Sequence, residues 1–146
     1  MNIFVTVGTT KFSSLVNEAS LITDHQITIQ HADPTRDNLF NTSFDFVDSI
    51  DDFYEAADLV VTHAGAGSVY SLLERKKKVI VVPNLERIDQ HQMDLAKYVE
   101  QNHYALVAWA PTQLIHSIKE SESFIPAPYQ PLRFSKYKEI SDFLKS

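Results

Sequence analysis

The sequence predicts an α/β fold: a parallel sheet of about six strands with helices on both faces. Three observations predict it. Short apolar, β-branched runs alternate with segments of helical spacing along the chain, and that order implies right-handed crossovers between parallel strands. The strand runs, such as 59–62 and 79–82, are apolar at consecutive positions, as strands covered on both faces must be. Average usage would supply roughly ten glycines in this length. The chain has three, at positions 8, 65 and 67, and Gly8 and Gly65 each fall at the carboxyl end of a predicted strand.

Taken in order, residues 3–7 read as a buried strand bounded by Gly8, and 11–22 carry Phe12, Leu15, Val16 and Ala19 at helical spacing. A second strand is predicted over 27–31, ending near Asp33-Pro34, and a short third over 44–47. Residues 50–57 read as a short helix with acidic residues in its first turn, where the helix dipole favours them. The fourth strand, 59–62, leads into a helix over 67–75, and the fifth, 79–82, is stopped by Pro83. A long helix is predicted over 88–101, a sixth strand over 104–107, and a helix over 112–119 with Pro111 at its start. Residues 124–131 are proline-rich and extended, and a last helix is predicted over 136–144.

The totals bound the function. With 146 residues, 44% of them hydrophobic, the chain fits a single domain over 1–146, with 124–146 as a C-terminal extension. No apolar run approaches the roughly 18 residues of a membrane span. The start, MNIFVTVG, has no basic n-region, so no signal peptide is expected. Cysteine is absent, which removes disulfides, thiolate metal sites and a cysteine nucleophile, and agrees with a reducing compartment. A net charge of −6 disfavours nucleic acid as a partner. The basic run Arg75-Lys-Lys-Lys78 is expected to close a helix, where cations suit the negative end.

Ligands of such sheets bind outside the carboxyl ends of the strands, and three segments converge there. In the first, T62-H-A-G-A-G-S68, Gly65 and Gly67 permit tight dihedrals and close approach of a ligand to the backbone. The N–H groups of Ala66, Gly67 and Ser68 at the helix start, with the positive dipole end, make a natural anion site, and a diphosphate fits it. Neither familiar phosphate pattern is complete: the Walker lysine is replaced by Ser68-Val69, and Tyr70 stands where the dinucleotide pattern has its third glycine. A strand–helix corner that needs glycine only for packing is the bland alternative. The second corner, Gly8-Thr9-Thr10-Lys11, has the same design, with the two hydroxyls also available as simple helix caps. In the third segment Asp89, Gln90, His91 and Gln92 crowd the first turns of the long helix, and a step back from Leu95 and Ala96 directs His91 and Gln92 inward. Polar side chains there need partners, which a sugar's hydroxyls or local capping would supply. His63 and His91 are the local candidates for acid–base work. His25, His31, His103 and His116 have no metal-ligand spacing and read as surface or structural residues.

The stretches FVTVGTTKF, THAGAGS and VVPNLERIDQHQMDLA resemble the small donor-binding subunits of two-component glycosyltransferases, among them the dolichol-pathway UDP-N-acetylglucosamine transferase and bacterial exopolysaccharide and capsule enzymes. All are similar to the C-terminal domain of glycosyltransferase family 28. The resemblance covers about residues 2–120. It implies a Rossmann-like domain, the C-terminal half of a GT-B glycosyltransferase, holding a nucleotide sugar. Carried over by position, Gly8, Thr9 and Thr10 lie near the diphosphate or sugar. His63, Ala64, Gly65, Ala66, Gly67 and Ser68 form the nucleotide-diphosphate loop, and Asp89, Gln90, His91 and Gln92 face the donor sugar. Three positions depart from the family pattern: Ser71 replaces the glutamate used on the ribose, Lys77-Lys78-Val79 replaces Gly-Lys-Pro, and His31 follows the second-strand glutamine in place of a small residue. These changes favour the bacterial polysaccharide branch.

The resemblance implies a subunit transferring a sugar from a UDP-sugar to a lipid-linked glycan, with the other half of the active site on a separate, membrane-anchored Rossmann-like partner at the inner face of the membrane. No D-x-D pair occurs in the chain, so the UDP-sugar is expected to be a substrate handled without a metal or other cofactor, and the general base is expected on the partner. The 124–134 stretch has two placements open to it, against that partner or along its own domain. The competing reading is a non-catalytic subunit that stabilises a separate, complete glycosyltransferase.

Overall fold

The computed structural model describes residues 1–35, 42–86 and 90–129. The predicted helix over 136–144 and Asp89 lie outside the described residues. The strands are β1 (Asn2–Thr6), β2 (Gln26–Gln30), β3 (Thr42–Phe44), β4 (Leu59–His63), β5 (Val79–Val82) and β6 (Leu106–Val107). The helices are α1 (Ser13–Ser20), α2 (Asp51–Ala56), α3 (Ala66–Glu74), α4 (Gln90–Gln101) and α5 (Leu114–Ser121), the last entered through a 3-10 turn at Pro111–Gln113. All six strands run parallel in the order β3-β2-β1-β4-β5-β6.

Alternation along each strand makes two apolar layers. Ile3, Val5, Leu59, Val61, Ile80 and Val82 face one side, where α1 and α5 cover them with Leu15, Val16, Leu114 and Ile118. Phe4, Val60, Val79 and Val81 face the other, against Tyr54 of α2, Val69, Leu72 and Leu73 of α3, and Leu95, Ala96 and Val99 of α4. Val5, Leu59, Val60, Val61 and all four β5 residues are fully buried, so both faces of the central strands are dry. That is why their sequences show no polar alternation. Phe4, Phe44 and Phe53 stack in the second layer, with centroids 5.3 Å apart for Phe4–Phe53 and 4.9 Å for Phe44–Phe53.

Two elements differ from the expectation. β3 ends at Phe44 rather than continuing to Val47, and Phe46 is 54% exposed. The Gln30 side-chain amide donates to the Asp45 carbonyl at 2.6 Å, turning the chain off the sheet edge. The basic run closes α3, with Arg75 at its C-cap, but its side chains reach other helices: Arg75 bonds Asp51 and Glu55 of α2, Lys77 donates to the carbonyls of Glu55 and Ala57, and Lys78 to that of Ser121. The cations neutralise the carbonyl ends of two neighbouring helices. Along the described part of the 124–131 stretch, Ala127 N–H donates to the His103 carbonyl at 2.8 Å, and Tyr129 packs on Tyr70 and Tyr104.

The chain leaves β1 toward β2 and β3 on one side, then returns to place β4 on the other. The reversal lies between the carboxyl ends of β1 and β4, where an open α/β sheet forms its ligand crevice.

Candidate functional site

A cleft of about 340 Å³ lies at that switch point, lined by Val7, Thr10, His63, Ala64, Gly65, Ala66, Asn84, His91, Gln92 and Leu95. The β1 end, the β4–α3 corner, the β5 exit and the start of α4 therefore meet around one space. A larger cavity of about 610 Å³ sits between the end of α1 and α5, lined by Leu21, Ile22, His25, Ile115 and neighbours. It lies at the opposite, amino edge of the sheet and contains none of the converging polar residues.

His63 is the centre of the cleft's construction. It closes β4, and its imidazole fills the space left by two missing side chains. A Cβ on Gly8 would stand 2.6 Å from His63 Cε1, and one on Gly65 would overlap His63 Nε2. Gly8 also needs its own conformational freedom, with φ at +71°. Gly65 does not: its φ of −89° and ψ of 127° are ordinary extended values, so its requirement is purely steric. The ring sits 3.4 Å from the Thr62 hydroxyl through Nδ1. Burial pushes the imidazole below the ordinary histidine range, and a hydrogen bond to the Thr6 backbone partly offsets that. The ring is held neutral at the cleft floor.

Gly67 is different. A Cβ there would meet nothing within 4 Å, and the residue is exposed. Its side of the α3 start is open. Among the described residues no side chain caps α3; the first bond of the helix runs from Val69 N–H to the Gly65 carbonyl. The N–H groups of Ala66, Gly67 and Ser68 thus have no partner within the helix. The Ser68 hydroxyl turns away to the Tyr54 phenol of α2, whose pKa is raised chiefly by burial. Neither Gly67 nor Ser68 is among the residues lining the cleft, which the helix start reaches through Ala66.

The corner after β1 follows another plan. α1 begins at Ser13, five residues beyond Gly8, and neither Thr9 nor Thr10 caps it. Its first turn already holds an anion from the chain itself, since Ser14 N–H donates to Glu86 Oε1 at 3.2 Å. Thr10 lines the cleft and Thr9 is exposed. The two corners predicted to share one design are an uncapped helix end and an internally capped one.

On the α4 side, His91 and Gln92 line the cleft as their spacing predicted. Gln92 Oε1 accepts from Asn84 N–H at 2.9 Å, which ties α4 to the β5 exit. Gln90 does not join them. Its amide runs along the helix to Asp94 at 3.0 Å. Two residues central to the site were missed in the sequence. Asn84, buried, bridges to the Lys11 carbonyl and to Glu86 N–H. Gln30, buried at the end of β2, bonds the Gly8 peptide on both sides. The available signals were a polar residue closing β2 and another two residues beyond the end of β5.

A parallel sheet with this strand order, and a helix amino end opening on its switch-point cleft, defines a Rossmann-like unit of the kind found in GT-B glycosyltransferases. The chain belongs to the glycosyltransferase family 28 C-terminal domain family, which it matches over residues 2–145. It is 34% identical over 114 residues to the UDP-N-acetylglucosamine transferase subunit ALG13 of Mus musculus, an alignment covering 67% of this chain and 10% of the mouse protein. The chain thus spans about a tenth of that relative's length. Among solved structures it resembles ALG13 in an NMR solution structure, with TM-score 0.63 and 20% identity over 95% of this chain and 94% of that one. It also resembles Acinetobacter baumannii MurG, with TM-score 0.62 and 17% identity over all of this chain and 52% of MurG. At those identities the structures attest the fold.

Proposed function

We propose that this domain binds the diphosphate and sugar of a UDP-sugar donor and is the donor half of a two-component glycosyltransferase building a lipid-linked glycan. One observation carries the reading. The start of α3, with no side-chain cap among the described residues, reaches the cleft of His63, His91 and Gln92 through Ala66, and Gly67 beside it is exposed with room around it. The N–H groups of Ala66, Gly67 and Ser68 hold the pyrophosphate, with hydrogen bonds to a charged group worth about 1.5–3 kcal/mol each and a dipole contribution of about 0.3–2 kcal/mol. His91 and Gln92 meet the sugar hydroxyls from across the cleft.

In the transfer, the bond between the anomeric carbon and the β-phosphate oxygen breaks, and a bond from an acceptor hydroxyl to that carbon forms. The acceptor proton goes to a base on the second subunit. Charge gathers on the departing diphosphate, where fixed N–H donors are most effective. A neutral His63 adds a hydrogen-bonding floor without a competing positive charge. The cleft opens on one sheet edge, and the family's transferases close such an edge with a second Rossmann-like unit. A membrane-anchored partner at the inner membrane face, presenting the lipid-linked acceptor, completes the site. The mouse relative's name, a subunit of a UDP-N-acetylglucosamine transferase, supports both the donor class and the subunit organisation.

Calorimetric titration with uridine, UMP, UDP and a panel of UDP-sugars tests this. Affinity is expected to appear with the second phosphate and to grow with one sugar. Equal binding of uridine and UDP, or none of either with the partner present, would leave only a non-catalytic stabilising role.

A further inference from the structure

We propose that Gln30 is the positioning residue of the donor site, fixing His63 through the Gly8 turn although it does not line the cleft itself. The proposal rests on the donor-binding reading above and adds a residue to it.

Gln30 ends β2 with 3% of its surface exposed, and its amide is fully used. Oε1 accepts from the Thr6 hydroxyl at 2.6 Å, from Gly8 N–H at 3.1 Å and from Val7 N–H at 3.2 Å. Nε2 donates to the Gly8 carbonyl at 2.9 Å and to the Asp45 carbonyl at 2.6 Å. A primary amide has two hydrogens to give, and both are placed. The Gly8 residue is therefore gripped at its N–H and its C=O by one side chain, and that grip holds its left-handed conformation.

The turn so held abuts the His63 ring, as the 2.6 Å approach of a Gly8 Cβ to Cε1 shows. Thr6, whose hydroxyl donates to Gln30, also hydrogen-bonds the His63 ring through its backbone. Two contacts thus run from one buried amide to one imidazole. Among uncharged side chains of this length an amide alone serves three donors and two acceptors at once. Methionine would fill the volume and satisfy none of them; glutamate would set a charged oxygen against two carbonyls.

The test is Gln30→Met in the full chain, read by the NMR titration of each histidine ring and by calorimetry with UDP. Among the described residues His91 also lines the cleft, and the backbone amides of its helix α4 serve as the reference. Lys11 and Asp33, beyond the ends of β1 and β2, pair with each other at 3.5 Å, and His31 accepts from Asp33 N–H. Their signals report any general loosening. The expected result is that the His63 midpoint rises toward the ordinary histidine range, as the released turn admits water, while the backbone amide signals of α4 stay in place. UDP affinity should fall about tenfold, as for a lost hydrogen bond to a charged group. A folded variant with an unmoved His63 midpoint overturns the proposal, even if its Tm is lower. A moved midpoint with unchanged UDP affinity overturns the link to the donor. Should Gln30→Met not fold, Thr6→Val removes a single bond to Oε1, and the same upward shift, smaller, is required of it. If the unaltered protein binds no UDP, the donor reading itself fails, and the His63 midpoint alone decides whether Gln30 positions the ring.

Discussion

The corners after β1 and β4 look alike in sequence: a strand, glycine, small polar residues, a helix. In the fold they do opposite things. The β4 corner starts its helix one residue after Gly65 and leaves the first turn uncapped beside the cleft. The β1 corner delays its helix to Ser13 and fills the first turn with the Glu86 carboxylate. A helix amino end attracts one anion. Where the chain supplies that anion the corner is structural, and where it does not, a ligand's phosphates can. The glycines divide the same way. Gly8 and Gly65 make room for His63, whereas Gly67 makes room for nothing among the described residues.

The largest effect is expected at Gly8. Alanine there meets both a left-handed φ and the His63 ring, and should cost about 2–4 kcal/mol of stability by chemical denaturation. Gly65→Ala carries the steric part alone, about 1–3 kcal/mol. If the two variants are equally stable, the backbone distinction between the corners is wrong.

His63 sharpens the contrast through pH. Its folded pKa lies below its unfolded value because burial opposes the charged form. The stability linked to it is complete above the ordinary histidine value and is lost as pH falls through the lowered folded value. His63→Asn should flatten the unfolding midpoint's dependence between about pH 7 and 5 relative to the parent. An unchanged slope would mean that the ring is not buried as described.

The smallest stability effect, with the opposite sign, belongs to Gly67. Alanine there meets no neighbour and suits a helix better, so stability should rise by a few tenths to about 1 kcal/mol. UDP affinity should nevertheless fall about tenfold as the Cβ enters the phosphates' approach. A gain in stability with undiminished UDP binding would return Gly67 to a packing role.

The sheet was legible because β1, β4 and β5 are dry on both faces and their apolar runs say so. The convergence of His63, Gly65, Ala66, His91 and Gln92 was legible too, since strand ends and helix starts fix it. The Glu86 cap was not: Ser14 and Glu86 are distant in sequence, and no local pattern joins them. Nor was the reason for Gly65, which depends on where the His63 ring turns rather than on backbone propensity. Gln90 stands apart from His91 and Gln92 because a residue at a helix start can also turn along the helix, here to Asp94.

Amide-resolved NMR during titration with UDP would show where the diphosphate sits. The N–H signals of Ala66, Gly67 and Ser68 are expected to move most, together with the His63 ring, while Ser14 beside Glu86 stays still. Shifts confined to the Leu21, His25 and Ile115 groove, or equal at Ser14 and Gly67, would contradict that placement.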